Sequence, residues 1–244
     1  MSFANIHLFK KIFTHPFLLI KILFEKKVVQ KMKYGTKDGD YDAERYWGDR
    51  YKKHDLHLAA SGRETKTDEE NSEFYKAQAD ILLRLCNEMG ISISNPRVLE
   101  IGCGAGYYTE IFHNLHPADL TCIDIADDLF LKLKIKFPNV HFVKKDISKE
   151  LLEDTFDTIF MVNVIYNIVA REKFDFSMEN VKQCLKKNGN FIIGPVFEKE
   201  KRKMFHLHYW SIDQVRNHFP DYLVSIKKFN FGVFLFIKNK SNQF

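Results

Sequence analysis

The spacing of apolar residues changes period several times along this chain, and each change marks an element. From Ser72 to Met89, apolar positions Tyr75, Ala79, Leu82, Leu83 and Cys86 recur at three- and four-residue intervals, which predicts a helix with one buried face. Val98-Leu99-Glu100-Ile101 is a short apolar run stopped by glycines, the pattern of a buried strand. Leu120-Thr121-Cys122-Ile123, His141-Phe142-Val143 and Phe156 to Asn163 repeat it. Met178 to Lys187 reads as a helix, Asn188-Gly189-Asn190 as a break and Phe191-Ile192-Ile193-Gly194 as a fifth strand. A short helix over Ser211 to His218 precedes two runs, Tyr222 to Phe229 and Phe231 to Lys238, which flank Asn230 as an antiparallel pair. Strands alternating with helices predict an α/β sheet that is mostly parallel.

Upstream the pattern differs. Residues 3–29 are rich in Phe, Ile and Leu, and a helix is expected from Thr14, with Pro16 in its first turn, to about Met32. Its dense stretch, Ile12 to Phe24, contains His15, Pro16 and Lys21 and falls short of the roughly 20 residues that span a bilayer. The segment lacks a small-residue cleavage site, so it is not read as an ordinary signal peptide. Residues 1–33 hold seven lysines and one acid, a charge of +6, so the remaining chain sums to −1 against a total of +5. A basic amphipathic tail suits two roles, peripheral contact with an anionic membrane or a lid packed over the body. The near-neutral body opposes a nucleic-acid substrate, which needs a cationic face. The division expected is a tail at 1–33, a linker and cap at 34–71, with a loop from Ala60 to Asn71, and a ligand-binding domain at 72–244.

With 45% apolar residues in 244, the chain can bury one sizeable core. The four cysteines, Cys86, Cys103, Cys122 and Cys184, form no C-x-x-C pair and read as buried thiols of a reduced, cytoplasmic protein. No set of ligands has the spacing of a metal site.

The candidate chemistry lies between Glu100 and Asp124. Gly102-Cys103-Gly104-Ala105-Gly106 joins the first strand to a helix, and Asp124 closes the second strand, the layout of a nucleoside-cofactor site. A dinucleotide fingerprint spaces its glycines G-x-G-x-x-G, whereas here the third comes one residue early. Glu100, two residues before the first glycine, would repel a pyrophosphate but suits a cofactor with an ammonium and a sulfonium. This segment resembles motif I of the class I S-adenosylmethionine (SAM) dependent methyltransferases, and the likeness extends over about residues 72–238. It implies a Rossmann-like fold: a seven-stranded, mostly parallel sheet with an antiparallel last strand and helices on both faces, here with an N-terminal helical extension. It implies a cofactor site made of Glu100, Gly102, Cys103, Gly104, Gly106, Asp124 at the ribose, Ile125 beside the adenine, Asp146 and Ile147 after the third strand, and Asn163 at the end of the fourth.

The implied activity is methyl transfer to an oxygen or nitrogen of a small-molecule or lipid-like acceptor. Members acting on bases or amides carry two prolines after the fourth strand, which Asn163-Val164-Ile165-Tyr166 lacks. Many small-molecule members have an acid and a histidine there, replaced by Tyr166 and Asn167. Candidates for proton removal are therefore Tyr166 and the pair His206 and His208, expected to share one face of an extended segment. Tyr46, Tyr51 and Tyr75 are the upstream aromatics that could reach the pocket. Three other readings are a SAM-fold protein without catalysis docked to a membrane or partner, a nucleic-acid or protein N-methyltransferase, and a nicotinamide oxidoreductase, the last opposed by Glu100 and the glycine spacing.

Overall fold

A computed structural model describes residues 28–64 and 66–240. Most of the expected tail helix lies outside the described residues; those at 28–34 are helical. The chain then forms α1 (Ala43–His54), α2 (Asp68–Glu88), β1 (Arg97–Ile101), α3 (Tyr107–His113), β2 (Asp119–Asp124), α4 (Phe130–Lys136), β3 (His141–Lys144), β4 (Phe156–Val162), a 3-10 turn at Ile165–Asn167, α5 (Arg171–Cys184), β5 (Leu185–Val196), β6 (Lys201–Met204), β7 (Leu207–Tyr209), α6 (Ile212–Asn217), β8 (Leu223–Phe229) and β9 (Gly232–Lys238).

Seven strands form one sheet in the order β3-β2-β1-β4-β5-β9-β8. β9 runs antiparallel to both neighbours, and the other pairs are parallel. The expected seven-stranded sheet with an antiparallel last strand is borne out. Because side chains alternate across a strand, each strand feeds two cores. Val98, Cys122, Phe160, Ile192 and Phe234 meet α2, α3 and α4 through Leu82, Phe112 and Leu133. Leu99, Ile123, Ile159, Met161 and Ile193 meet α5 and α6 through Phe174, Met178, Val181 and Val215. The central strands are apolar at successive positions because both faces are covered.

Local boundaries differ from the sequence pattern in four places. α5 begins at Arg171 rather than Met178 and ends at Cys184, where the chain passes directly into β5. α2 begins at Asp68 rather than Ser72, because Thr67 and Glu70 form a capping box: the Glu70 N–H donates to Thr67 Oγ1 at 3.2 Å and the Thr67 N–H to Glu70 Oε2 at 3.0 Å. Asn188 and Gly189 do not break the fifth strand, which runs from Leu185 with Asn188 at φ 62°. β6 and β7 form a separate two-stranded ribbon after β5. Phe205 and His206 make its turn, so His206 and His208 do not share one face of an extended segment. The turn reverses the chain and breaks the alternation on which that expectation rested.

The upstream segment is fastened to this body. Glu44 pairs with Lys144 at 2.7 Å, Lys52 with Asp128 at 3.2 Å, and the Tyr41 hydroxyl donates to the Asn167 carbonyl at 2.9 Å. Arg202 of the ribbon donates to the carbonyls of Gly39 at 2.9 Å and Val169 at 3.2 Å, so ribbon, upstream loop and body meet at one side chain.

Candidate active site

β1 and β4 are adjacent in the sheet, yet the chain leaves β1 for β2 on one side and reaches β4 on the other. The connections therefore diverge at their carboxyl ends, where open α/β sheets bind ligands. A cleft opens there, lined by residues of the glycine loop, the ends of β2 and β4 and the upstream segment.

Its floor is the glycine loop between β1 and α3. Gly104 has φ +52°, and a Cβ there would sit 2.6 Å from Ser61 Oγ and 3.6 Å from the Tyr51 hydroxyl. Only glycine combines that left-handed backbone with so close an approach of the cap. The Gly104 N–H donates to Asp124 Oδ2 at 2.9 Å, the Tyr51 hydroxyl to the same oxygen at 3.2 Å, and the Ala126 N–H to Oδ1 at 3.1 Å. Asp124 is 5% exposed. Burial pushes its carboxyl up to about 6 against the two amides and the phenol, which pull it down. Ser61 Oγ accepts the Ala105 N–H at 3.0 Å, so the cap covers the loop with its own polar groups.

Gly102, Cys103, Gly104, Asp124, Ile125, Asp146, Ile147 and Asn163 all line the cleft. Asp146 Oδ1 accepts the Ser148 N–H at 2.9 Å and its hydroxyl at 2.6 Å, while Lys149 reaches Oδ2 at 3.1 Å. Asn163, at φ 63°, exchanges two hydrogen bonds with Gln78 of 2.8 and 3.1 Å, and the Tyr108 hydroxyl donates to Gln78 Oε1 at 3.0 Å. Gly106 and Glu100 stand behind this wall. Gly106 precedes α3 at φ 82°. Glu100 is 4% exposed, and its Oε2 accepts the Thr109 hydroxyl at 2.5 Å and the Cys122 thiol at 3.2 Å. Burial pushes the Glu100 carboxyl up to about 7.

The candidates for proton removal lie outside the wall. His206 is buried, stacked on Tyr46 with ring centres 4.8 Å apart and Nε2 3.3 Å from its hydroxyl. Burial, reinforced by the charges of Arg50 and Arg202, pushes its imidazole down to about 4, which keeps it neutral. His208 pairs with Glu200 at 2.8 Å and packs on Trp210. Tyr166 does not line the cleft, and burial holds its phenol well above the ordinary range. Of the upstream tyrosines, Tyr51 and Tyr75 line the cleft, while Tyr46 joins Tyr34 and Tyr41 in a separate aromatic cluster.

Sequence reasoning missed Gln78, Ser61 and the ion pair of Asp40 with Lys173, which also lines the cleft. Gln78 had a signal: it is a polar residue three positions after Tyr75, inside the apolar stripe of α2. Ser61 and Asp40 had none, because their roles come from contacts across the fold.

Residues 60–227 match the family model described as Nodulation protein S (NodS). The chain belongs to the NodS family. It is 31% identical over 99 residues to nodulation protein S of Azorhizobium caulinodans, covering 40% of this chain and 47% of that protein. It is 39% identical over 87 residues to the malonyl-[acyl-carrier protein] O-methyltransferase of Bacillus anthracis, 34% of this chain and 32% of that protein. The matches thus span less than half the length of these curated relatives. Among solved structures, a DhpI–SAH complex superposes with a TM-score of 0.61 at 15% identity, covering 85% of this chain and 100% of that one. The N-methyltransferase NodS from Bradyrhizobium japonicum WM9, in complex with S-adenosyl-L-homocysteine, gives 0.53 at 18% identity over 67% and 86%. Family and fold together bear out the resemblance to the class I SAM-dependent methyltransferases.

Proposed function

We propose that this protein transfers a methyl group from SAM to an oxygen or nitrogen of a small-molecule or lipid-like acceptor. The observation that carries this reading is the convergence of the glycine loop, Asp124, Asp146 and Asn163 on one cleft at the carboxyl ends of β1, β2 and β4. The cleft fits the cofactor chemically: a glycine cradle without room for a Cβ, a buried carboxylate beside it, and apolar Ile125 and Ile147 flanking a second acid. Asp124 would hold the ribose hydroxyls, Ile125, Ile147 and Asp146 the adenine, and the loop with Asn163 the methionine part.

When bound, SAM supplies an electrophilic methyl group on a sulfonium. The protein's own part is orientation and exclusion of water. Aligning two reactants supplies roughly 7 to 11 kcal/mol of a barrier. Here Tyr51 and Ser61 close the cap onto the glycine loop, and the pair of Gln78 with Asn163 ties α2 to the end of β4. The relatives, one an O-methyltransferase and one an N-methyltransferase, support transfer to either atom. The four cysteines are free and buried, which supports a reducing, cytoplasmic setting. Among the described residues no helix is long and apolar enough to cross a membrane. The test is calorimetric titration with SAM and S-adenosylhomocysteine, beside Asp124→Ala. Micromolar binding lost in the variant is expected, and a folded wild type that binds neither ligand would overturn the reading.

A further inference from the structure

The glycine loop shapes the floor of the cleft, yet its amides are already engaged within the protein. The N–H groups of Gly102 and Cys103 donate to the Ile123 carbonyl at 2.7 and 3.2 Å, and that of Gly106 to the Cys103 carbonyl at 2.9 Å. The Gly104 N–H donates to Asp124 Oδ2 at 2.9 Å and the Ala105 N–H to Ser61 Oγ at 3.0 Å. Each amide has one hydrogen to give, so these five can wrap a ligand without donating to it. The two lysines that line the cleft come from elsewhere: Lys145 follows β3, and Lys173 lies on α5, paired with Asp40.

Two hydroxyls of the cap crowd that loop. A Cβ on Gly104 would lie 2.6 Å from Ser61 Oγ and 3.6 Å from the Tyr51 hydroxyl. Tyr51 gives its hydrogen to Asp124. Ser61 lines the cleft, and while its oxygen accepts the Ala105 N–H, its own hydrogen goes to no described residue. A hydroxyl can accept and donate at once, and its bond is strongest to a charged acceptor. The turn that carries Ser61 is fixed from both flanks. Within it the Ala60 N–H donates to the His57 carbonyl at 2.9 Å and the Gly62 N–H to the Leu58 carbonyl at 2.7 Å. From α1, Arg50 Nη2 donates to the carbonyls of Ala59 at 2.7 Å and Gly62 at 2.8 Å, while Nη1 reaches the Tyr46 hydroxyl at 3.3 Å. From α2, Asn71, 1% exposed, accepts the Arg63 N–H at 3.0 Å and donates to its carbonyl at 3.1 Å. A donor held in place before the ligand arrives avoids the cost of ordering it on binding.

Resting on the methyltransferase reading, we propose that Ser61 donates to the carboxylate of the cofactor's methionine part, and that Arg50 is a positioning residue which acts through Ser61 by gripping its turn at Ala59 and Gly62. The loop gives the cofactor a fitted surface, and the cap gives its carboxylate a donor.

The test compares two ligands by calorimetry at neutral pH: S-adenosylhomocysteine and 5′-(3-aminopropylthio)-5′-deoxyadenosine, which differs from it only in lacking the carboxylate. The readout is the ratio of their affinities, which a merely structural role would not move, because loosening the cap weakens both ligands alike. The wild type is expected to prefer S-adenosylhomocysteine about tenfold or more, and Ser61→Ala to lower that ratio about tenfold. Arg50→Gln is expected to lower it about threefold or more, Arg50→Lys to recover part of the loss, and Arg50→Gln added to Ser61→Ala to change it by less than about twofold, as two residues acting through one contact do. Arg50→Lys keeps the charge and carries the same reading where Arg50→Gln does not fold. A wild type that binds both ligands alike, or a ratio unchanged in Ser61→Ala, overturns the assignment while leaving the cofactor reading intact. A ratio unchanged in Arg50→Gln, or lowered further by it in the Ser61→Ala protein, overturns the role given to Arg50. A folded wild type that binds neither ligand overturns the methyltransferase reading itself.

Discussion

Replacing Glu100 by Gln tests whether the acid before the glycine loop is a buried, costly charge. Glu100 is 4% exposed and held through one oxygen by Thr109 and Cys122. Burial moves its carboxyl from the ordinary 4.5 up to about 7, with those two donors opposing the shift and the nearby charge of Asp124 adding to it. The folded state therefore binds this proton more tightly than the unfolded chain does. Its contribution to stability is complete below about pH 4.5 and is lost as pH rises through about 7. Moving from 4.5 to about 7 corresponds to roughly 3 kcal/mol. Asp124, pushed up to about 6, acts in the same direction over a lower window, between about pH 4 and 6. Glu100→Gln keeps an acceptor for Thr109 and carries no charge at any pH. Urea unfolding of the ligand-free protein between about pH 4 and 8 reads the difference. The variant should match the wild type at the acid end and exceed it by up to about 3 kcal/mol at pH 8. Parallel stability curves, or a variant weaker than the wild type at pH 8, would refute the reasoning.

Other outcomes follow from the same geometry. Gly104→Ala sets a Cβ 2.6 Å from Ser61 Oγ at φ +52°, so it should destabilise by about 1 to 2 kcal/mol in thermal unfolding and weaken S-adenosylhomocysteine binding at least about tenfold in calorimetry. Gln78→Leu strips partners from the Asn163 amide and the Tyr108 hydroxyl and should cost about 2 to 3 kcal/mol in urea unfolding; a loss below about 0.5 would mean that water replaces the glutamine. Phe112, fully buried and stacked on Phe160 at 4.3 Å, should cost about 3 to 5 kcal/mol on change to Ala, measured the same way. His206, held down at about 4, should show no change in its imidazole NMR shifts between about pH 6 and 8; its stabilising contribution is present above about pH 6.5 and is lost as pH falls through about 4.

The sequence alone determined the α/β class, the place of the glycine loop and the acids at Asp124 and Asp146, because those features are local. A strand between two packed layers is mostly apolar, and a left-handed turn favours glycine; both leave marks within a few residues. The capping box at Thr67 and Glu70 was equally local and still displaced the start of α2, since the apolar stripe shows only where burial begins.

Only the tertiary structure decided which polar groups meet. Gln78 and Asn163 are 85 positions apart, Tyr51 and Asp124 73, and Tyr46 and His206 160. A turn of two residues sent His206 under Tyr46 and His208 toward Glu200, although both stand two apart in an apparently extended run. Spacing along the chain reports which face a residue takes on its own element. What lies opposite that face depends on how distant elements pack, and the partner sets burial, and burial sets the charge each group can carry.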